Sequence, residues 1–142
     1  MNPDNYEQFE EECNRIQDAN KRLLSDFAIS IQNAGLAQKT IQKHVDNIDF
    51  YINEFLLYEE PIEAKDGALR IDFFLSYWFP KKAMWASPDS VKGYAASLKK
   101  FYSFLHSKGL TEIEDLEDLK QAVKENMAEW LENMEQDDIS FW

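Results

Sequence analysis

The stretch that decides the fold is residues 87–105, SPDSVKGYAASLKKFYSFL. Ser87 is a residue type that caps helices, Pro88 suits the first helical position, and Asp89 complements the positive end of the helix dipole. Behind that start, Val91, Tyr94, Ala95, Leu98, Phe101, Tyr102 and Leu105 recur at helical spacing and form one apolar stripe. Lysines occupy the other side. Lys108-Gly109 supplies the stop. The segment therefore predicts a long amphipathic helix with a buried aromatic face and a cationic outer face.

The same reasoning extends in both directions. Tyr6, Phe9, Cys13, Ile16, Leu23, Phe27 and Ile31 mark an N-terminal helical region closed by Ala34-Gly35. Asn20 falls on this stripe, and the interruption leaves one helix or two open. Ile41, Val45, Ile48, Ile52 and Phe55 predict a second helix over about 37–58, ended by Glu59-Glu60-Pro61. A third, short helix over 68–79 is apolar nearly all round, which predicts a central, buried element stopped by Pro80. After Gly109, a capping-box pattern, Thr111-x-x-Glu114, opens a fifth helix. Its apolar stripe is Leu116, Leu119, Val123, Met127, Trp130 and Met134, and its other face is rich in Asp and Glu.

Composition agrees with this pattern. The chain has 142 residues, 14% aromatic, with four glycines and four prolines. Helix formers dominate, and the length supports a core without metal or disulfide. The fold class expected is all-α, a small bundle of about five helices. The organisation expected is an N-terminal helical extension over 1–19, a helical domain over 20–109, and an acidic C-terminal helix and tail over 110–142.

Function classes narrow in turn. Cys13 is the one cysteine, so no intramolecular disulfide forms, and a reducing cytoplasm is the expected location. The acidic N-terminus has no signal-peptide pattern, and no apolar run is long enough for a membrane span. His44 and His106 have no His, Cys, Asp or Glu at i±3 or i±4, so no helix-borne metal site is expected. No nucleophile elbow, phosphate loop or dinucleotide fingerprint is present. The chain is expected to be no enzyme and to use no cofactor and no small-molecule substrate.

Net charge is −12 and uneven. Residues 1–34 carry three basic and seven acidic side chains, 35–109 ten and nine, and 110–142 two and eleven. Any affinity for phosphate must come from local clusters in the middle of the chain. Lys39 and Lys43 sit at i, i+4 on the second helix, and Lys92 and Lys99 share a face of the fourth with Lys100 adjoining. Thr40, Ser87 and Ser90 add hydroxyls near helix starts, where backbone N–H groups favour anions. The same lysines also fit the ordinary solvated face of an amphipathic helix. At the C-terminus, Trp130, Met134, Phe141 and Trp142 are large apolar groups on an acidic element. They are the candidate anchors for a protein partner or a second copy of the chain.

One family resemblance draws these residues together. Gly35-Leu36-Ala37-Gln38-Lys39-Thr40-Ile41 resembles the Gly-Leu-Ser-x-x-Thr helix entry of the core-binding (SAM-like) domain of tyrosine recombinases and phage integrases, with Ala37 in place of Ser. His44 stands where that family usually has Tyr. Ile71-x-Phe73-Phe74-Leu75 resembles its third helix. Ser87-x-x-Ser90-Val91 and Tyr94-x-x-x-Leu98-Lys99-Lys100-Phe101-Tyr102-x-Phe104-Leu105 resemble its last. The match covers about 20–109.

The resemblance implies a domain that clamps one side of a DNA duplex with its second and fourth helices. Lys39, Thr40, Lys43, Ser87, Ser90, Lys92 and Lys99 would then lie at the DNA. The family's catalytic residues belong to a second domain that does not follow here. The expectation is a non-catalytic, DNA-associated protein of phage or mobile-element origin, in the setting of DNA integration and recombination. The alternative is an acidic protein–protein interaction or regulatory module that kept the fold and lost DNA binding.

Overall fold

The computed structural model describes residues 3–140, and the side chains of 5–134 within them. The chain is all-α, with no strand among the described residues. Five helices follow in order. α1 is Pro3–Asn33. α2 spans 38–55, α-helical over Gln38–Asp49 and π-helical over Phe50–Phe55. α3 spans 71–82, preceded by a 3₁₀ turn at Ala68–Arg70. It runs as Ile71–Phe73, a π-helical segment Phe74–Trp78, and Phe79–Lys82. α4 is Pro88–Ser107 and α5 is Ile113–Ser140. The chain forms two compact units, 1–67 and 68–142, and α1 runs unbroken through positions 19 and 20.

In the first unit α1 packs on α2. Asn20 does not break α1. It is buried, and its amide donates to Asn53 Oδ1 at 2.8 Å and to the Ile52 carbonyl at 3.4 Å, while Asn53 donates to Asp49 at 2.5 Å. A polar side chain stays inside because its hydrogen bonds are replaced there. Cys13, Ile16 and Leu57 form a smaller cluster with Phe9 against it. Gly35, at φ 93°, turns the chain out of α1 through a conformation that suits glycine.

The π turn of α2 redirects its apolar face. The expected stripe ran through Val45, which is only half-buried, to Ile52 and Phe55. Widening the helix over 50–55 brings Tyr51, Ile52, Phe55, Leu56 and Leu57 all into burial. The Tyr51 hydroxyl donates to the Gly67 carbonyl at 2.7 Å, so the ring enters the core with its polar end satisfied.

In the second unit α5 packs along α4 and on α3. Phe74 and Phe79 of α3 meet Tyr94 of α4 at ring-centroid distances of 5.6 and 4.6 Å. Two expectations for α3 are corrected. Pro80 does not stop it, because the preceding π segment shifts the hydrogen-bond ladder to i→i+5, and Pro80 enters as an early residue of Phe79–Lys82. Nor is α3 buried all round: Ile71, Phe74, Leu75, Trp78 and Phe79 are buried, while Leu69 just before it, Phe73 and Tyr77 are half exposed. α5 begins at Ile113, one residue later than the Thr111-x-x-Glu114 box implies. Thr111 is buried instead, and its carbonyl pairs with His106 Nδ1 at 2.9 Å.

Candidate nucleic-acid interface

Lys39, Thr40 and Lys43 belong to the first unit and lie exposed on the first turns of α2. A shallow depression there is lined by Gln38, Lys39, Gln42, Lys43, Asp46 and Asn47. Ala37 is the N-cap and its side chain caps nothing. The first amides of α2 are thus left without a side-chain acceptor, which leaves the positive end of the helix dipole open beside two lysines. Against this, the unit as a whole holds six Lys or Arg and fourteen Asp or Glu. Asp46 lies in the same depression and accepts from Gln42 at 2.8 Å.

Ser87, Ser90, Lys92 and Lys99 belong to the second unit. Ser87 caps α4: its Oγ accepts from the Ser90 amide at 3.1 Å, and the Ser87 amide donates to Ser90 Oγ at 2.7 Å. The Ser90 hydroxyl donates to the Ser87 carbonyl at 2.9 Å. This reciprocal cap explains why the helix starts here. It also commits the hydroxyls that were expected to meet phosphate. Asp89 stands in the first turn and occupies the dipole's positive end. The start of α4 is therefore built as a reciprocal structural cap.

The lysines of α4 stand differently. Lys92, Lys99 and Lys100 are exposed, on the side away from the buried Val91, Tyr94, Leu98, Phe101 and Tyr102. Lys108, just past the helix end, lies over the Phe104 ring at 5.5 Å. Residues 68–109 as a whole carry seven Lys or Arg against two Asp or Glu. The cationic part of the chain is thus narrower than the sequence suggested, and it falls wholly within the second unit, outside α5.

The C-terminal anchors are corrected. Trp130 is 1% exposed and Met134 6%, so both complete the core of the second unit. The indole Nε1–H of Trp130 donates to Asp72 Oδ1 at 2.8 Å, which ties α5 to α3. The long apolar stripe of α5 packs on α3 and α4 of its own chain. Phe141 and Trp142 lie outside the described residues.

Two groups outside this face are electrostatically defined. The Glu12 carboxyl is held below the usual carboxylate range by its hydrogen bond from Arg15, which also reaches Glu63 at 3.5 Å. Burial pushes the Cys13 thiol up, and the neighbouring Glu12 charge adds to the shift. Among the described residues no three His, Cys, Asp or Glu gather to hold a metal, and no helix is long and apolar enough to cross a membrane. No protein-family model, no curated protein and no solved structure matches the chain.

Proposed function

We propose that the protein is a non-catalytic DNA-associated protein of a reducing, cytoplasmic compartment, and that its second unit meets the phosphate backbone through the outer face of α4. The observation that carries this reading is the charge of residues 68–109, seven cations against two anions, with Lys92, Lys99 and Lys100 exposed along one helix whose opposite face is core. Contacts of this kind are made to phosphate and carry no base information, so the binding is weak and tolerant of sequence. The resemblance to recombinase core-binding domains supports the same helix as the DNA-facing one. The acidic α5 lowers affinity by long-range repulsion, which salt screens over about 8–10 Å.

Fluorescence anisotropy of a labelled duplex at low salt tests the reading. The intact protein is expected to bind in the range of about 10⁻⁴–10⁻⁶ M, typical of non-specific association. The triple variant Lys92→Glu, Lys99→Glu, Lys100→Glu is expected to lose that binding while keeping its helical circular dichroism. Absence of binding by the intact protein would leave the interaction-module reading in its place.

A further inference from the structure

Two exposed rows of charge in the chain mirror each other. On α1, Glu10, Glu11, Asp18 and Lys21 lie exposed on the side away from the buried Cys13, Ile16 and Asn20. On α4, Asp89, Lys92, Lys99 and Lys100 lie exposed on the side away from the buried Val91, Leu98 and Tyr102. Along α1 the signs run as two adjacent anions, a third anion seven positions after Glu11, and a cation three positions further on. Followed backwards, α4 gives two adjacent cations, a third cation seven positions before Lys99, and an anion three positions before that. Every sign is opposite and every interval is equal.

Laid antiparallel, with the same rise of about 1.5 Å per residue, the two helices bring Glu10 and Glu11 level with Lys100 and Lys99. At the same register Asp18 comes level with Lys92, and Lys21 with Asp89. The middle of each row is uncharged, with Asn14 on α1 level with Ala96 on α4, and no like charges meet. Within one chain the rows are not spent on each other: none of the eight charged residues enters an ion pair among the described residues.

We propose that the outer face of α4 docks the α1 of a second copy, antiparallel, through these two rows. Each copy carries both rows, the self-complementarity that a contact between like chains requires. Isolated exposed ion pairs add little, whereas four opposed charges in one register set orientation and exclude other alignments. The association is therefore weak, salt-sensitive and fixed in direction. Lys92, Lys99 and Lys100 are also the cations assigned to phosphate, so self-association and duplex binding exclude each other. The docking stands on the two rows alone; only this competition rests on the DNA reading.

Sedimentation velocity of the full-length chain, up to high-micromolar concentration in about 0.1 M salt, where charge is screened beyond about 10 Å, tests it. The expected result is a self-association that is lost at about 1 M salt and in the variant Glu10→Gln, Glu11→Gln, Asp18→Asn. That variant removes three negative charges from a net −12, which by total charge alone would favour association, so its loss reads the row. Glu117→Gln, Asp118→Asn, Glu125→Gln removes as many exposed acids from α5 and should not weaken the association. The reversed rows Glu10→Lys, Glu11→Lys, Asp18→Lys and Lys92→Glu, Lys99→Glu, Lys100→Glu are each expected to be monomers. Their equimolar mixture is expected to recover a heterodimer, although both keep a negative net charge. Unchanged circular dichroism is the folding control. A monomer at every concentration, an association that the α1 variant leaves intact, or an equal loss in the α5 control overturns the proposal. Excess duplex is expected to release monomers, and a duplex bound by the associated species overturns the shared face. Row-dependent association without any duplex binding keeps the docking and removes the DNA reading.

Discussion

Trp130 and Asp72, 58 positions apart in sequence, are joined by an indole N–H to carboxylate hydrogen bond of 2.8 Å. The ring is buried and the carboxylate reaches it from the exposed side of α3. This contact adds a directional hydrogen bond to the apolar packing of Leu116, Leu119, Val123 and Met134 that holds a strongly acidic helix in place.

Removing the ring should be costly. Trp130→Ala is expected to destabilise by about 3–5 kcal/mol through the cavity it leaves. Asp72→Ala keeps the ring but strands its N–H, for about 1–3 kcal/mol. Asp72→Asn retains an acceptor oxygen and should fall well below that. Urea denaturation of the three variants reads the ranking, and equal losses for Asp72→Ala and Asp72→Asn would remove the hydrogen bond from the account.

Asn20 supplies a second ranking. Its amide donates to Asn53 Oδ1 and the Ile52 carbonyl, so Asn20→Ala leaves those acceptors short and should cost about 1–3 kcal/mol. Asn20→Asp replaces the donor by a charge facing two acceptors and should cost more at neutral pH. Thermal melts would show Asn20→Asp below Asn20→Ala; the reverse order would mean that the site is open to water.

The Ser87 cap predicts a separation of stability from binding. Ser87→Ala should destabilise by about 1 kcal/mol, the usual value of an N-cap. Because its hydroxyl is committed within the cap, affinity for a duplex should be unchanged at temperatures where the variant is folded. A drop in affinity without a drop in stability would return Ser87 to the interface.

Cys13 predicts a pH dependence. Burial, then the Glu12 charge, raises its thiol above the ordinary value, so the reactive thiolate is scarcer than in an unfolded chain at any pH below that range. Alkylation by iodoacetamide should be slow near neutral pH and accelerate on adding urea, with the native rate rising into a more alkaline range than a model thiol shows. A native rate equal to the unfolded one would contradict the burial.

Much of the fold was legible because the apolar stripes and stops are local signals. Val91 to Leu105 behind Ser87-Pro88 defined α4, and Gly35 and Gly109 closed α1 and α4 with positive φ of 93° and 74°. The π segments at Phe50–Phe55 and Phe74–Trp78 were not legible. A wider turn changes which residues face inward without changing composition, so Tyr51 was missed and Pro80 was taken as a stop. Asn20 read as an interruption because its partner Asn53 lies 33 positions on. Of the candidate site, the exposure of the α4 lysines follows from the stripe opposite them. The fate of Trp130 did not, since burial and exposure of an amphipathic face depend on a partner element that spacing cannot name.

The central claim, that the outer face of α4 meets phosphate, is tested most directly by the salt dependence of duplex binding. Three phosphate contacts from Lys92, Lys99 and Lys100 predict a log–log slope of about −2.7. Lys99→Gln should make it shallower by about 0.9, whereas Lys39→Gln, in the acidic first unit, should leave it nearly unchanged. A slope that responds to Lys39→Gln and not to Lys99→Gln would contradict the account.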